Sequence, residues 1–190
     1  MCFDRQFAII IGIPIVIIIE IVRFIKCKKS KIKFINLREM AVIIFSVYII
    51  GLISVTLFPF DTYRNVKPTA NLVPVFNTIK DISGIPADMK GFMTKIWIVN
   101  ISGNLFLLTP LAILVPIIFK KFRNIKPIVL LCLFASVLIE TLQYLSMLLG
   151  NIRSVDIDDV ILNTLGSIIG FYIFNYFQKL ANLSGFRKKL

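Results

Sequence analysis

Long apolar stretches separated by short polar or basic stretches dominate this chain of 190 residues. Five apolar stretches can be drawn, at about residues 7–25, 40–58, 96–119, 127–149 and 159–178. Each is near the roughly 20 residues that an α-helix needs to cross a hydrocarbon core. The pattern predicts an all-α integral membrane protein with five transmembrane helices. One sizeable polar segment, residues 59–95, separates the second span from the third.

Composition supports a membrane protein. Hydrophobic residues make up 57% of the chain, above the roughly 45–50% typical of soluble domains. The first apolar stretch lacks a small-residue cleavage site and runs into the basic stretch RFIKCKKSKIK, so we interpret it as a retained anchor rather than a secretory signal. We therefore divide the chain into an anchor helix with a basic linker (1–39), a four-span membrane domain (40–178) and a basic tail (179–190).

The lysines and arginines predict the orientation. They concentrate in the linker after the first span, in KKFRNIK after the third span and at the C-terminus. Because basic loops are retained in the cytoplasm, we expect the N-terminus outside, the C-terminus inside and segment 59–95 outside. This bias, together with anionic lipids, explains the net charge of +12 without a nucleic-acid partner.

The chain contains no histidine, and its three cysteines, Cys2, Cys27 and Cys132, are scattered. This excludes Ser-His-Asp and Cys-His catalysis, histidine-ligated zinc and a disulfide framework. We expect no cofactor and no resident metal.

Polar side chains inside the spans are the candidate functional residues, because an ionised residue at mid-bilayer costs roughly 2.5–3.5 kcal/mol. Asn100 and Asn104 share one helix face, Glu140 and Gln143 share another, and Asn163 lies one turn after Asp159. By helical rise, Asn104, Glu140 and Asn163 lie in the outer half of the membrane. We expect Arg153, Asp156, Asp158 and Asp159 just above them, nearer the outer surface. The sequence thus predicts a polar wedge that opens to the outside, formed by Asn100, Asn104, Glu140, Gln143, Arg153, Asp156, Asp158, Asp159 and Asn163.

Several of these residues also have a structural interpretation. An aspartate of DIDD would cap the fifth span, and the amides would join helices to each other. Gly166 and Gly170 are spaced as G-x-x-x-G, which permits close helix approach. Glu20, near the inner end of the first span, would extend its carboxylate to the membrane surface or pair locally, with Arg23 and Lys26 close by in sequence.

The ordered motifs NLVPVFNTI, NISGNLFLLTPLAILVP, LIETLQYL and RSVDIDDVILNTLGSIIG resemble those of the VanZ-like membrane proteins, over roughly residues 40–178. Val75 and Ala112 depart from the family pattern. The resemblance implies a multi-pass protein of the bacterial plasma membrane that acts on the cell envelope. The founding member of the family lowers susceptibility to teicoplanin-type lipoglycopeptides.

Three hypotheses follow. In the first, the wedge binds or moves an envelope lipid, such as a polyprenyl-linked precursor, or a lipid-anchored lipoglycopeptide. Arg153 would then contact an anion, and Glu140 would act as a protonation switch. In the second, the protein is an enzyme acting on a lipid-linked wall precursor, with Asp156, Asp158 and Asp159 holding a divalent cation. In the third, it is a scaffold. The sequence leaves the oligomeric state open.

Overall fold

The computed structural model describes residues 2–29, 36–61, 70–71, 73, 86, 88–151 and 155–183. In these ranges five helical spans are long and apolar enough to cross a membrane, as the sequence predicted. The helices are α1 (Arg5–Lys29), α2 (Leu37–Leu57), α3 (Lys90–Leu107), α4 (Thr109–Ile118), α5 (Ile125–Leu148) and α6 (Ile157–Leu183). Helices α3 and α4 together form the third span, and a 3-10 turn at Lys120–Phe122 leads into α5.

The third span is interrupted at Leu108 because Pro110, the second residue of α4, has no N–H to continue the hydrogen-bond ladder of α3. The Thr109 hydroxyl shares its one proton between the carbonyl of Leu105, at 3.2 Å, and that of Gly166, at 3.0 Å. The Tyr48 hydroxyl donates to the carbonyl of Leu107 at 2.8 Å. Side chains from α2 and α4 therefore satisfy carbonyls near the interruption.

The interior of the bundle lies between α4, α5 and α6, with α2 packed against α4. Seven of the ten residues of α4 are buried, whereas α3 has none. The main apolar cluster comprises Leu108, Leu111, Ala112, Val115, Ile128, Cys132, Ile139, Phe171 and Phe174. The glycine spacing in α6 permits close approach, as predicted, since Gly166 lies against the backbone of α3 and Gly170 against that of α4.

The first span lies at the edge of the bundle. Its neighbour is α2, and its apolar side chains face outward, as expected for a helix surrounded by lipid. Arg23 forms ion pairs with Glu20, at 2.7 Å, and with Glu39 of α2. The predicted local pairing of Glu20 is confirmed, and the guanidinium also joins α1 to α2.

Two short strand pairs flank the helices. Strands β1 (Cys2–Phe3) and β2 (Phe60–Asp61) pair antiparallel, and β3 (Ala70–Asn71) and β4 (Val155–Asp156) pair in parallel. The second pair brings the segment between α2 and α3 to the start of α6. Most of the predicted outer segment 59–95 lies outside the described residues. Helix α3 begins at Lys90, six residues before the predicted start of the third span.

Candidate functional site

The start of α6 gathers the acidic residues of the predicted wedge. Asp156 directly precedes the helix, and its Oδ1 accepts the backbone N–H of Asp158 at 2.9 Å. This is the N-cap that the sequence predicted, and it satisfies one of the amide groups that a helix leaves free at its N-terminus. Asp158 and Asp159 lie in the first turn, where the helix dipole favours negative charge.

This acidic turn lies deep along α5. The backbone N–H of Asp156 donates to Glu140 Oε2 at 3.4 Å, and Glu140 is only 7% exposed. Glu140 precedes the last residue of α5, Leu148, by eight positions, or about 12 Å of helical rise. The structure therefore places Asp156 level with Glu140, whereas the sequence predicted the aspartates nearer the membrane surface. Helix α6 therefore begins level with Glu140, about 12 Å before the end of α5.

Asn71 belongs to the same site, although it was not among the predicted site residues. Its side-chain amide donates to both carboxylate oxygens of Asp156, at 3.1 and 3.2 Å, next to the β3–β4 pair. The signal in the sequence was the motif NLVP, which begins at Asn71. Its position gave no hint of this contact, because the pairing joins residues 85 positions apart.

Helix α3 contributes Asn104, whose side-chain amide donates to Asp159 Oδ1. Asn100 lies one turn away on the same helix and is exposed. Gly103 lies between them, and a Cβ atom there would meet nothing within 4 Å. We call the group Asn71, Asn104, Glu140, Asp156, Asp158 and Asp159 the polar cluster.

Asn163 lies one turn further into α6 and contacts α5. Its side-chain amide donates to the Ser136 hydroxyl at 2.9 Å, and Asn163 is 1% exposed. Its carbonyl oxygen is buried and has no hydrogen-bond partner among the described residues. Sequence reasoning missed Ser136, because a serine in an apolar stretch hardly changes the hydropathy pattern.

Gln143 points to a different part of the bundle. Its side-chain amide donates to the carbonyl of Thr56 in α2 at 3.0 Å. Ser146, one turn further along α5, donates to the carbonyl of Gln143 at 2.7 Å, and Asn151 lies 3.4 Å from the Ser146 hydroxyl. These bonds join α5 to α2 and to the chain that follows α5. They give Gln143 a structural contact outside the polar cluster.

The remaining predicted residue, Arg153, lies outside the described residues. Within the described ranges, no three His, Cys, Asp or Glu side chains converge so that they could hold a metal ion. Asp156 and Asp159 instead accept hydrogen bonds from amides. The arrangement therefore gives no support to the divalent-metal enzyme. It presents carboxylate oxygens suited to hydroxyl, amide or ammonium hydrogen-bond donors.

A helical bundle of five apolar spans, with carboxylates and amides grouped between three of them, indicates a multi-pass membrane protein. The VanZ/LLP1 family model matches residues 45–178, which include all the described residues of the polar cluster and of α4–α6 up to Gln178. The chain belongs to the VanZ/LLP1 family. Comparisons with curated proteins and with solved structures gave no significant match.

Proposed function

We propose that this protein binds, in the bacterial plasma membrane, the polar head group of an envelope lipid or of a lipid-anchored ligand, and so lowers susceptibility to teicoplanin-type lipoglycopeptides. The family membership supports an envelope role. The observation that carries the proposal is the polar cluster, because three spans and a connecting segment contribute side chains to it at a depth where polar groups are costly.

The chemistry of the cluster favours a ligand that donates hydrogen bonds. The carboxylates of Asp156 and Asp159 provide several acceptor positions each, and the amides of Asn71 and Asn104 occupy only some of them. Sugar hydroxyls, peptide amides and ammonium groups are donors of this kind, and they occur in the head groups of envelope lipids. The cluster opens to the outside in the predicted orientation, which would give it access to lipids of the outer leaflet.

Glu140→Gln tests the proposal. Glutamine keeps the size of the side chain and an acceptor oxygen for the Asp156 N–H but removes the charge. We expect a host that depends on this protein to become more susceptible to teicoplanin, by about fourfold or more in inhibitory concentration, since charged hydrogen bonds contribute roughly 1.5–3 kcal/mol. Inhibitory concentration and membrane abundance are measured together.

Thr141→Val is the matched control, because Thr141 is exposed on the neighbouring position and its hydroxyl bonds only within α5, to Val137. Thin-layer analysis of lipids that co-purify with each variant provides the direct measure of binding. Wild-type susceptibility and an unchanged lipid profile in Glu140→Gln, at normal abundance, would refute a binding role for the cluster.

A further inference from the structure

Helices α5 and α6 are antiparallel. Along their contact, each facing pair of residues lies four positions earlier on α5 and four positions later on α6 than the pair before it. Starting from the polar cluster, three successive levels of this seam are polar and the fourth is apolar. The polar levels, which we call the polar ladder, pair the region of Glu140 with Asp159, Ser136 with Asn163, and Cys132 with Ser167. The fourth level, the apolar plug, comprises Ile128 and Phe171, with Phe174 in the same cluster.

Contacts across the seam support this register. The Asn163 amide donates to the Ser136 hydroxyl at 2.9 Å. The Ser167 side chain lies next to the Cys132 thiol. Ser136, Cys132 and Ser167 are fully buried, so the seam is closed in this structure.

The polar ladder extends along much of the length of α5. Glu140 and Cys132 are eight residues apart on α5, about 12 Å of rise. Cys132 is seven residues, or about 10 Å, from the start of α5 at Ile125. The polar groups therefore continue from the cluster to within about 10 Å of the opposite end of α5, and the apolar plug occupies that last part.

Hydrogen bonding between α5 and α6 does not explain every polar atom of the polar ladder. If the seam were only a permanent contact, its buried polar atoms should be satisfied, because an unpaired buried polar atom is costly. The carbonyl oxygen of Asn163 is buried and has no partner within the described part of the chain. This oxygen lies at the middle level of the polar ladder, between the polar cluster and Cys132. A hydrogen-bond donor that entered the seam would satisfy it.

We propose that the seam between α5 and α6 is the closed part of a path through which the polar head group of a membrane lipid moves from the polar cluster toward the opposite face. Hydroxyl, amide and carboxylate groups along the ladder replace water for a head group that donates hydrogen bonds. The apolar plug closes the path. This inference rests on the proposed function and specifies it as movement of the lipid rather than static binding.

The native Cys132 at the inner end of the ladder makes the path testable. The full chain carrying Cys2→Ser and Cys27→Ser, with Cys132 as its only cysteine, is treated in membranes with a small, positively charged methanethiosulfonate reagent. We expect Cys132 to react at least about tenfold faster than a lipid-facing cysteine at the same depth, because hydrocarbon excludes the charged reagent. The reaction should occur from the side of the membrane on which α5 ends.

Two single-cysteine chains calibrate the measurement. Cys132→Ser with Leu133→Cys places the thiol on the neighbouring residue, which faces away from the seam and is 38% exposed. Cys132→Ser with Leu149→Cys places it at the exposed end of α5 and identifies the side of the membrane.

Asn163→Leu should slow the reaction of Cys132 toward that of the lipid-facing control, because it removes the polar middle level of the ladder.

A second variant tests the plug. Ile128→Ser replaces the apolar residue between the ladder and the far side, and we expect Cys132 then to react from both sides. Membrane abundance and thermal stability in detergent show whether each variant folds. If Cys132 resists the charged reagent as strongly as Leu133→Cys does, or reacts first from the far side, the path is refuted. Such a result, together with the predicted effect of Glu140→Gln, would leave the binding function standing without transport.

Discussion

Gly166 allows α6 to pack closely against α3 because glycine has no side chain. A Cβ atom at this position would overlap the backbone carbonyl of Leu105 in α3 and lie 3.2 Å from the Thr109 hydroxyl. At Gly170, one turn later, a Cβ would lie 2.5 Å from the carbonyl oxygen of Thr109. Helix α6 can pack directly on the interruption of the third span because both positions are glycine.

We therefore expect Gly166→Ala to destabilise the protein by about 1–3 kcal/mol, the usual cost of overpacking. The control is Gly103→Ala, since a Cβ there meets nothing within 4 Å. It should be neutral or slightly stabilising, because alanine favours a helix over glycine by about 0.5–1 kcal/mol. Thermal unfolding in detergent measures both. Equal losses of stability would show that α3 and α6 do not pack as described.

At the residue scale, the sequence indicated which polar side chains matter more reliably than what they contact. Glu140 and Asn163 stood out because each is polar within an apolar run. Their partners, the N–H of Asp156 and the Ser136 hydroxyl, did not stand out. A backbone amide has no sequence signal at all, and a serine is common in membrane helices. Such partners are determined by which helices are neighbours.

At the scale of elements, the interruption between α3 and α4 divides the third span into two different parts. Helix α4 is largely buried against α2 and α6, whereas α3 has no buried residue. The span of Lys90–Ile118 has 29 residues, longer than the roughly 20 that a straight crossing needs. Tilting or bending accommodates such excess length. Pro110 identifies the place of the interruption in the sequence, and Thr109 joins it to α6.

Thr109→Val removes a hydroxyl that donates to carbonyls of Leu105 and Gly166 while keeping the shape of the side chain. We expect a loss of about 0.6–1.7 kcal/mol in stability, from the average to the largest value measured for hydrogen bonds between membrane helices. Thr94→Val is the control, because Thr94 is exposed and bonds only to Lys90 within α3. Denaturant titration in mixed micelles compares the two variants. If Thr94→Val costs as much, the bond to α6 contributes nothing.

The depth of the N-terminus of α6 was the feature least predictable from the sequence. The motif DIDD predicted a capped N-terminus, and Asp156 does cap α6. The expected place for that cap was near the membrane surface, because a helix start usually follows a surface loop. The contact with Glu140 instead places it about 12 Å before the end of α5. Non-helical backbone is tolerated at such depth where it is buried in protein or lines a polar cavity.

At the scale of the whole molecule, orientation stays a prediction. Three basic stretches are expected in the cytoplasm because translocating several lysines and arginines is unfavourable. Alkaline phosphatase, which is active only outside the cytoplasm, should be active when fused after Asn151 and inactive when fused after Arg123. A green fluorescent protein at the C-terminus should fluoresce. The opposite pattern would place the polar cluster toward the cytoplasm and would contradict access from the outer leaflet.

The first span has a separate place in the whole molecule. Its neighbour is α2, to which it is joined by the ion pair of Arg23 with Glu39, and it precedes the residues that the family model matches. The hydrogen bonds described for the polar cluster and the polar ladder join α3, α5, α6 and the segment at Asn71. This fits the predicted division between an anchor and a four-span domain, which stays a prediction.

The sequence by itself determined the number of spans, their approximate limits, a cap by one aspartate of DIDD and the family. These follow from local properties: the length of apolar runs, the capping ability of aspartate and the order of motifs. Only the tertiary structure decided that Asn71 contacts Asp156, that Gln143 contacts α2, and that α5 and α6 share a polar seam. Those contacts depend on which helices pack together and at what depth. In a membrane, helix packing is determined by shape and hydrogen bonding, and the hydropathy pattern carries no information about either.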